Sequence, residues 1–140
     1  MPPTITNMNS NLMHLYITTN YAVALTALYL GLTLRVVYLR RSLKISFGSL
    51  GNLYLLRAIR AHANFAEYTP LALVLLLLLE VMGLAPAALH SLGVLLFTGR
   101  LAHALGVSSE KAGSSLRVVG MLFTLTTLLV EMSLLLLLQH

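Results

Sequence analysis

The sequence predicts an all-α integral membrane protein, a four-transmembrane-helix bundle with up-down topology. Three observations predict it. The 140-residue chain is 58% hydrophobic and only 9% charged, with a mean hydropathy of +0.86; soluble domains carry about 25% charged residues. Its apolar residues gather into four segments, each able to offer about 20 residues to a hydrocarbon layer of ~30 Å. Its basic residues cluster in and around two of the three connections. The length fits one domain, residues 1–140.

The first segment runs from about Leu12 to Leu39. Met1 to Leu34 carries no charge, so the basic n-region of a cleaved signal peptide is missing and none is expected. The chain has no tryptophan, which leaves tyrosine to supply the interfacial belt; Tyr16, Tyr21 and Tyr38 stand near the ends of this run. The connection from Arg40 to Gly51 holds glycine and serine, as loops do. The second helix is predicted over about 52–82, starting near Asn52, with its apolar part from Tyr68 to Met82. Pro70 removes the amide bond to Ala66 and is expected to bend it, which membrane helices tolerate. Gly83-Leu84-Ala85-Pro86 reads as a tight turn, so the second and third helices are antiparallel neighbours. The third helix is predicted over about Ala87–Leu105 and the fourth over about Leu116–Leu138, joined by Gly106 to Ser115.

The charges orient this bundle. Arg40, Arg41, Lys44, Arg57 and Arg60 flank the first connection, and Arg100, Lys111 and Arg117 flank the third. The N-terminus, the Gly83–Pro86 turn and the C-terminus have no lysine or arginine. The positive-inside rule places both long connections in the cytoplasm and both termini on the opposite side. Arg40, the Arg57–Tyr68 segment, Arg100 with His103, and Arg117 then converge in one leaflet. The far end holds Glu80, His90 and Glu131. One electropositive end predicts a site for an anion, opening to the cytoplasmic side.

The densest polar segment is Arg57 to Pro70, which runs straight into a leucine-rich stretch. Charges placed there are costly and need a reason. At 100° per residue, Arg57, Arg60, Asn64, Glu67 and Tyr68 fall within roughly a 100° arc. Arg60 can grip a carboxylate in a fork. Asn64 offers a donor and an acceptor, and Glu67 can take an ammonium. An intrahelical ion-pair ladder is the competing explanation of the same spacing. Arg117 opens the fourth helix, with Gly120, Thr124, Thr127 and Glu131 on its face. It reads either as a snorkelling interface anchor or as the cation that ionises a ligand thiol, a shift of about two pKa units for ~2.7 kcal/mol. Arg100 and His103 share a face of the third helix. His62 points away from the stripe and reads as a helix–helix hydrogen-bond partner. Glu80 and Glu131 read as far-interface groups, as partners of His90, or as a polar path.

Much is excluded. Cysteine is absent, so any thiol arrives with a ligand. His62 and His103 lack a pairing that would hold zinc, and no metal site is expected. The net charge of +5 comes without a basic tail or stacking platform, so nucleic acid is not an expected partner. No Ser-His-Asp order, P-loop or aspartate is present.

The run Arg60-Ala61-His62-Ala63-Asn64-Phe65-Ala66-Glu67-Tyr68-Thr69-Pro70 resembles the signature of the MAPEG family, membrane-associated proteins of eicosanoid and glutathione metabolism. Lys44-Ile45 with Gly48 and Gly51, Gly99-Arg100-Leu101-Ala102-His103, and Arg117-Val118-Val119-Gly120 extend the match in order, over about residues 20–138. The chain looks most like the short bacterial branch. The resemblance implies a homotrimer of four-helix subunits in the bacterial inner membrane. It implies glutathione as co-substrate, bound between subunits towards the cytoplasm by Arg60, Asn64, Glu67, Tyr68, Arg100, His103 and Arg40. Arg117 would then stabilise the thiolate. The implied activity is glutathione-dependent transfer, or peroxide reduction, on lipophilic small molecules in the bilayer. A non-catalytic lipid-binding or scaffold protein of the same fold is the alternative, and a small transporter is a third reading. Val107 stands where family enzymes often carry a tyrosine, and Ser49-Leu50 where bacterial relatives usually show an acidic residue.

Overall fold

The computed structural model describes residues 16–109 and 114–138, and these form four helices, each long and apolar enough to cross a membrane. They are α1 (Tyr16–Leu43), α2 (Leu53–Val81), α3 (Pro86–Ser108) and α4 (Ser115–Leu138). Among the described residues there is no strand. The predicted start of the first helix at Leu12, and Lys111, lie outside the described residues.

The ends differ from the predicted ones for local reasons. α1 continues four residues past Leu39 because Arg40 and Arg41 are good helix formers and suit a last turn. Lys44 then stops it in the left-handed region, φ 55°, with the Ile45 N–H on the Arg40 carbonyl at 3.0 Å. α2 starts where Asn52 caps it: Asn52 Oδ1 accepts from the Leu55 N–H at 3.0 Å. It runs unbroken through Pro70. Gly83, φ 82°, closes it, with the Leu84 N–H on the Leu79 carbonyl at 3.0 Å, and Pro86 opens α3. α3 runs past the predicted end at Leu105 to Ser108. Gly106 lies inside the helix, where any side chain would strike the Arg117 backbone.

Small residues let the last two helices approach closely. A Cβ at Gly120 would run into the His103 amide and the Gly99 carbonyl. Below this seam the apolar core falls into two clusters. Leu25, Leu32, Ala61, Phe65, Ala72, Leu96 and Ala104 form one. Leu76, Leu79, Leu89, Leu92 and Leu135 form the other. The α4 residues that share a face by spacing, Gly120, Thr124, Thr127 and Glu131, are all buried. Glu131 is fully buried, and among the described residues neither of its oxygens is hydrogen-bonded, so it is not an interface group. His62 bonds Thr33 across helices at 3.1 Å and stacks on Tyr29.

Glu80 does not pair with His90, which bonds Tyr21. It reaches across to the start of α1 and accepts from the Ile17 and Thr18 N–H groups at 2.9 and 2.8 Å. A carboxylate from a neighbouring helix thus satisfies two of the orphan donors at a helix N-terminus and meets its positive dipole end. Replacing Glu80 by alanine is expected to cost about 2–3 kcal/mol, since charge-assisted bonds contribute about 1.5–3 kcal/mol. Thermal unfolding in detergent measures it, and an unchanged midpoint refutes it.

Candidate functional site

At the end of the bundle where α2 begins and α3 ends, a cavity of about 410 Å³ opens between three helices. Its wall takes Arg57, Arg60 and Asn64 from α2, His103 and Val107 from α3, and Arg117 from α4. The helical spacing of Arg57, Arg60 and Asn64 turns all three to this side. Ser109 and Ser114 line it where the third connection begins and ends. Among the described residues no carboxylate lines the wall. Three guanidiniums gathered on one wall suit an anion, and forked guanidiniums suit carboxylates best.

Two contacts fix the cavity's floor. The His103 Nδ1–H donates to the Arg117 carbonyl at 3.0 Å, which ties α3 to α4. Nε2 is the ring nitrogen left for other contacts. Asn64 is held from behind: Arg100 donates through Nη1 to Asn64 Oδ1 at 2.9 Å. Its Nε donates to Thr124 Oγ1 at 2.8 Å, and the guanidinium sits 5.6 Å from the Tyr68 ring centroid. Arg100 is only 1% exposed, and each of these partners is neutral.

The predicted site residues therefore separate. Arg60, Asn64, His103 and Arg117 come together on the wall, and Arg57 joins them. Arg100 and Tyr68 stand behind Asn64. Arg40 is not brought to the cavity: its Nη1 donates to the carbonyls of Ile45, Ser46 and Gly48 at 3.1–3.3 Å, holding the first connection. Glu67 is exposed on α2, off the wall, with no hydrogen bond or ion pair among the described residues.

Two things escaped the sequence reading. Arg35, inside the first apolar run, donates to the Ser108 hydroxyl and so holds the end of α3 beside the cavity. A charge within an apolar run was the available signal. The second is a smaller cavity of about 290 Å³, lined by Val118, Met121 and Leu122. It shares His103 and Arg117 with the polar one. Arg117 thus stands on a wall common to a polar cavity and an apolar one.

Comparison with known proteins gives one family and one type of relative. The MAPEG family matches residues 18–137. An inner membrane protein, YecN, of Escherichia coli K12 is 38% identical over 86 residues, covering 61% of this chain and 66% of the relative. YecN of Escherichia coli O6:H1 gives the same figures. The chain thus spans just under two thirds of the length of these curated relatives. No solved structure matches the chain.

Proposed function

The chain belongs to the MAPEG family, and on that premise we propose that it is a glutathione-dependent transferase of the bacterial inner membrane. Glutathione is the co-substrate, and the second substrate is a lipophilic electrophile drawn from the bilayer. The inner-membrane placement draws on the name of its relative YecN. The observation that carries the reading is Arg117, shared by the polar and apolar cavities.

In this reading the peptide's carboxylates take forked bonds from Arg57 and Arg60. Asn64, oriented by Arg100, meets the peptide backbone. The thiol lies against Arg117, whose charge favours the thiolate. The thiolate sulfur forms a bond to the electrophilic carbon arriving along Val118 and Met121, and the leaving group departs with the bonding pair. Positioning and stabilisation of the sulfur anion supply the acceleration. The cavity opens to the cytoplasm, with both termini on the other side of an up-down bundle.

Glu67 supports a homotrimer with the ligand at its subunit boundary. It lies about 21 Å from the Val81 end of α2, within a hydrocarbon core of ~30 Å. An exposed carboxylate at that depth calls for a covering neighbour. The ligand's ammonium is the natural partner for it.

Titration of the detergent-solubilised protein with glutathione is expected to saturate at millimolar concentration or below. Absence of binding at millimolar glutathione would sink the proposal. Val107 favours a second reading, a non-catalytic lipid-binding or scaffold protein, because it offers no hydroxyl where family enzymes often carry a tyrosine. Conjugation of an aryl halide separates the two: the enzyme turns it over and the binder does not.

A further inference from the structure

Residues 1–66 hold Arg35, Arg40, Arg41, Lys44, Arg57 and Arg60 and no aspartate or glutamate. Most of these cations are already engaged. Arg57 and Arg60 line the polar cavity, Arg35 donates to Ser108, and Arg40 holds the first connection through the carbonyls of Ile45, Ser46 and Gly48. Arg41 and Lys44 remain. Both are exposed, and neither side chain has a hydrogen bond or ion pair among the described residues.

Their level in the membrane follows from the length of α1. Its 28 residues rise about 42 Å. A hydrocarbon core is ~30 Å thick, and a whole bilayer with its headgroups ~40–45 Å. The last two turns of α1 therefore stand at headgroup level. Leu34, Tyr38 and Arg41 recur there at helical spacing, and all three are exposed. Along the helix the order is apolar, aromatic, then basic, the order of acyl chain, interface and phosphate in a lipid.

Orientation in a membrane accounts for cations at this level, but not for large apolar side chains beside them. Phe47 is 87% exposed and Leu50 83%. Lys44 and Leu50 also take φ 55° and 45°, a region that costs an L side chain and that glycine adopts freely. The three bonds from Arg40 brace the connection that carries them. The cations and apolar groups are thus displayed by a connection that the chain builds without a partner.

We propose that the end of α1 and the first connection bind an anionic phospholipid of the leaflet they meet, the cytoplasmic one in the orientation proposed above. Arg41 and Lys44 hold the negatively charged headgroup. Tyr38 lies at the level of the glycerol esters, and Phe47 and Leu50 wedge into the boundary between headgroups and chains. The cations select the headgroup, and the apolar pair adds contact with any lipid. A second copy of the chain fits less well, because it brings the same cations to the same level. The surface shares no residue with the polar cavity, so it stands apart from the glutathione site.

Native mass spectrometry of the detergent-solubilised protein, titrated with phosphatidylglycerol and with phosphatidylcholine of the same chains, tests this. Phosphatidylglycerol is expected to bind about 25-fold more tightly at low salt, about fivefold for each cation, and the preference should shrink as salt rises. Arg41→Gln with Lys44→Gln is expected to abolish the preference while leaving phosphatidylcholine and the melting temperature unchanged. Phe47→Ser with Leu50→Ser is expected to weaken both lipids alike. Equal affinity for the two lipids in the unaltered protein overturns the proposal, as does a preference that survives the double glutamine variant. Displacement of the lipid by millimolar glycerol phosphate overturns it as well, since the site would then take a soluble phosphate. So does the absence of saturable binding, the result expected if a second copy or another protein covers the surface.

Discussion

Replacing Arg117 by alanine is expected to leave glutathione binding within a few-fold and to lower conjugation at neutral pH by about 25-fold or more. A free thiol has a pKa near 8.5, and two units of lowering correspond to ~2.7 kcal/mol. Without that lowering, the thiolate at pH 7 falls from the major species to about 3% of the bound ligand. The fold should survive the change. The close approach of Gly106 is to the backbone and Cβ of Arg117, which alanine keeps. The His103 bond is to the Arg117 carbonyl, which alanine also keeps. The sign of the pH dependence is the decisive readout. In the Arg117→Ala protein the rate should rise with pH towards 8.5 and above, because hydroxide then makes the thiolate that arginine no longer stabilises. The unaltered protein should reach its plateau about two pH units lower. Arg117→Lys should recover part of the rate, since a point charge still favours the anion. Identical pH profiles for the two proteins would remove Arg117 from the chemistry and leave it as an interface anchor.

The sequence disclosed which residues share a face and a depth, and it left open how far each side chain reaches. The stripe from Arg57 to Tyr68 is real as a helical face, yet the structure divides it along its length. Arg57, Arg60 and Asn64 line the cavity, Tyr68 backs Asn64, and Glu67 looks outward. Spacing alone cannot tell a residue on the cavity wall from one a turn beyond it. Long side chains made this worse. Arg40 turns its guanidinium onto the carbonyls of its own connection, and Arg100 folds into the bundle. Both reach several ångströms from their Cα atoms, so helical position does not fix the location of the charge. Gly106 read as a loop residue because glycine is poor in helices. Its use in helix packing depends on a partner helix that the local sequence does not mention. The role of Glu80 was hidden for the same reason, since it serves the first turn of a different helix. That Gly120, Thr124, Thr127 and Glu131 share one face of α4 was legible because a shared face depends on periodicity alone, whereas the burial of Glu131 depends on the neighbouring helices.

Arg100 is where stability and site geometry meet, and a pair of substitutions separates them. It is the largest of the fully buried side chains. Arg100→Ala should cost about 3–5 kcal/mol, the range for emptying a large buried site. It also strips Asn64 Oδ1 and Thr124 Oγ1 of their donor. Arg100→Met refills most of the volume with a flexible apolar chain. Exchanging a buried charge for apolar packing is often neutral or stabilising, so its melting temperature should return to within a few degrees of the original. Glutathione binding should not return with it. Asn64 would remain on the wall of the cavity without the bond that orients it, and a loss of about tenfold in affinity is the expected size for one misdirected hydrogen bond. Recovery of both melting temperature and affinity in Arg100→Met would make the arginine a space-filling residue only. Recovery of the first without the second makes it the residue that positions Asn64, acting on a ligand that it does not touch.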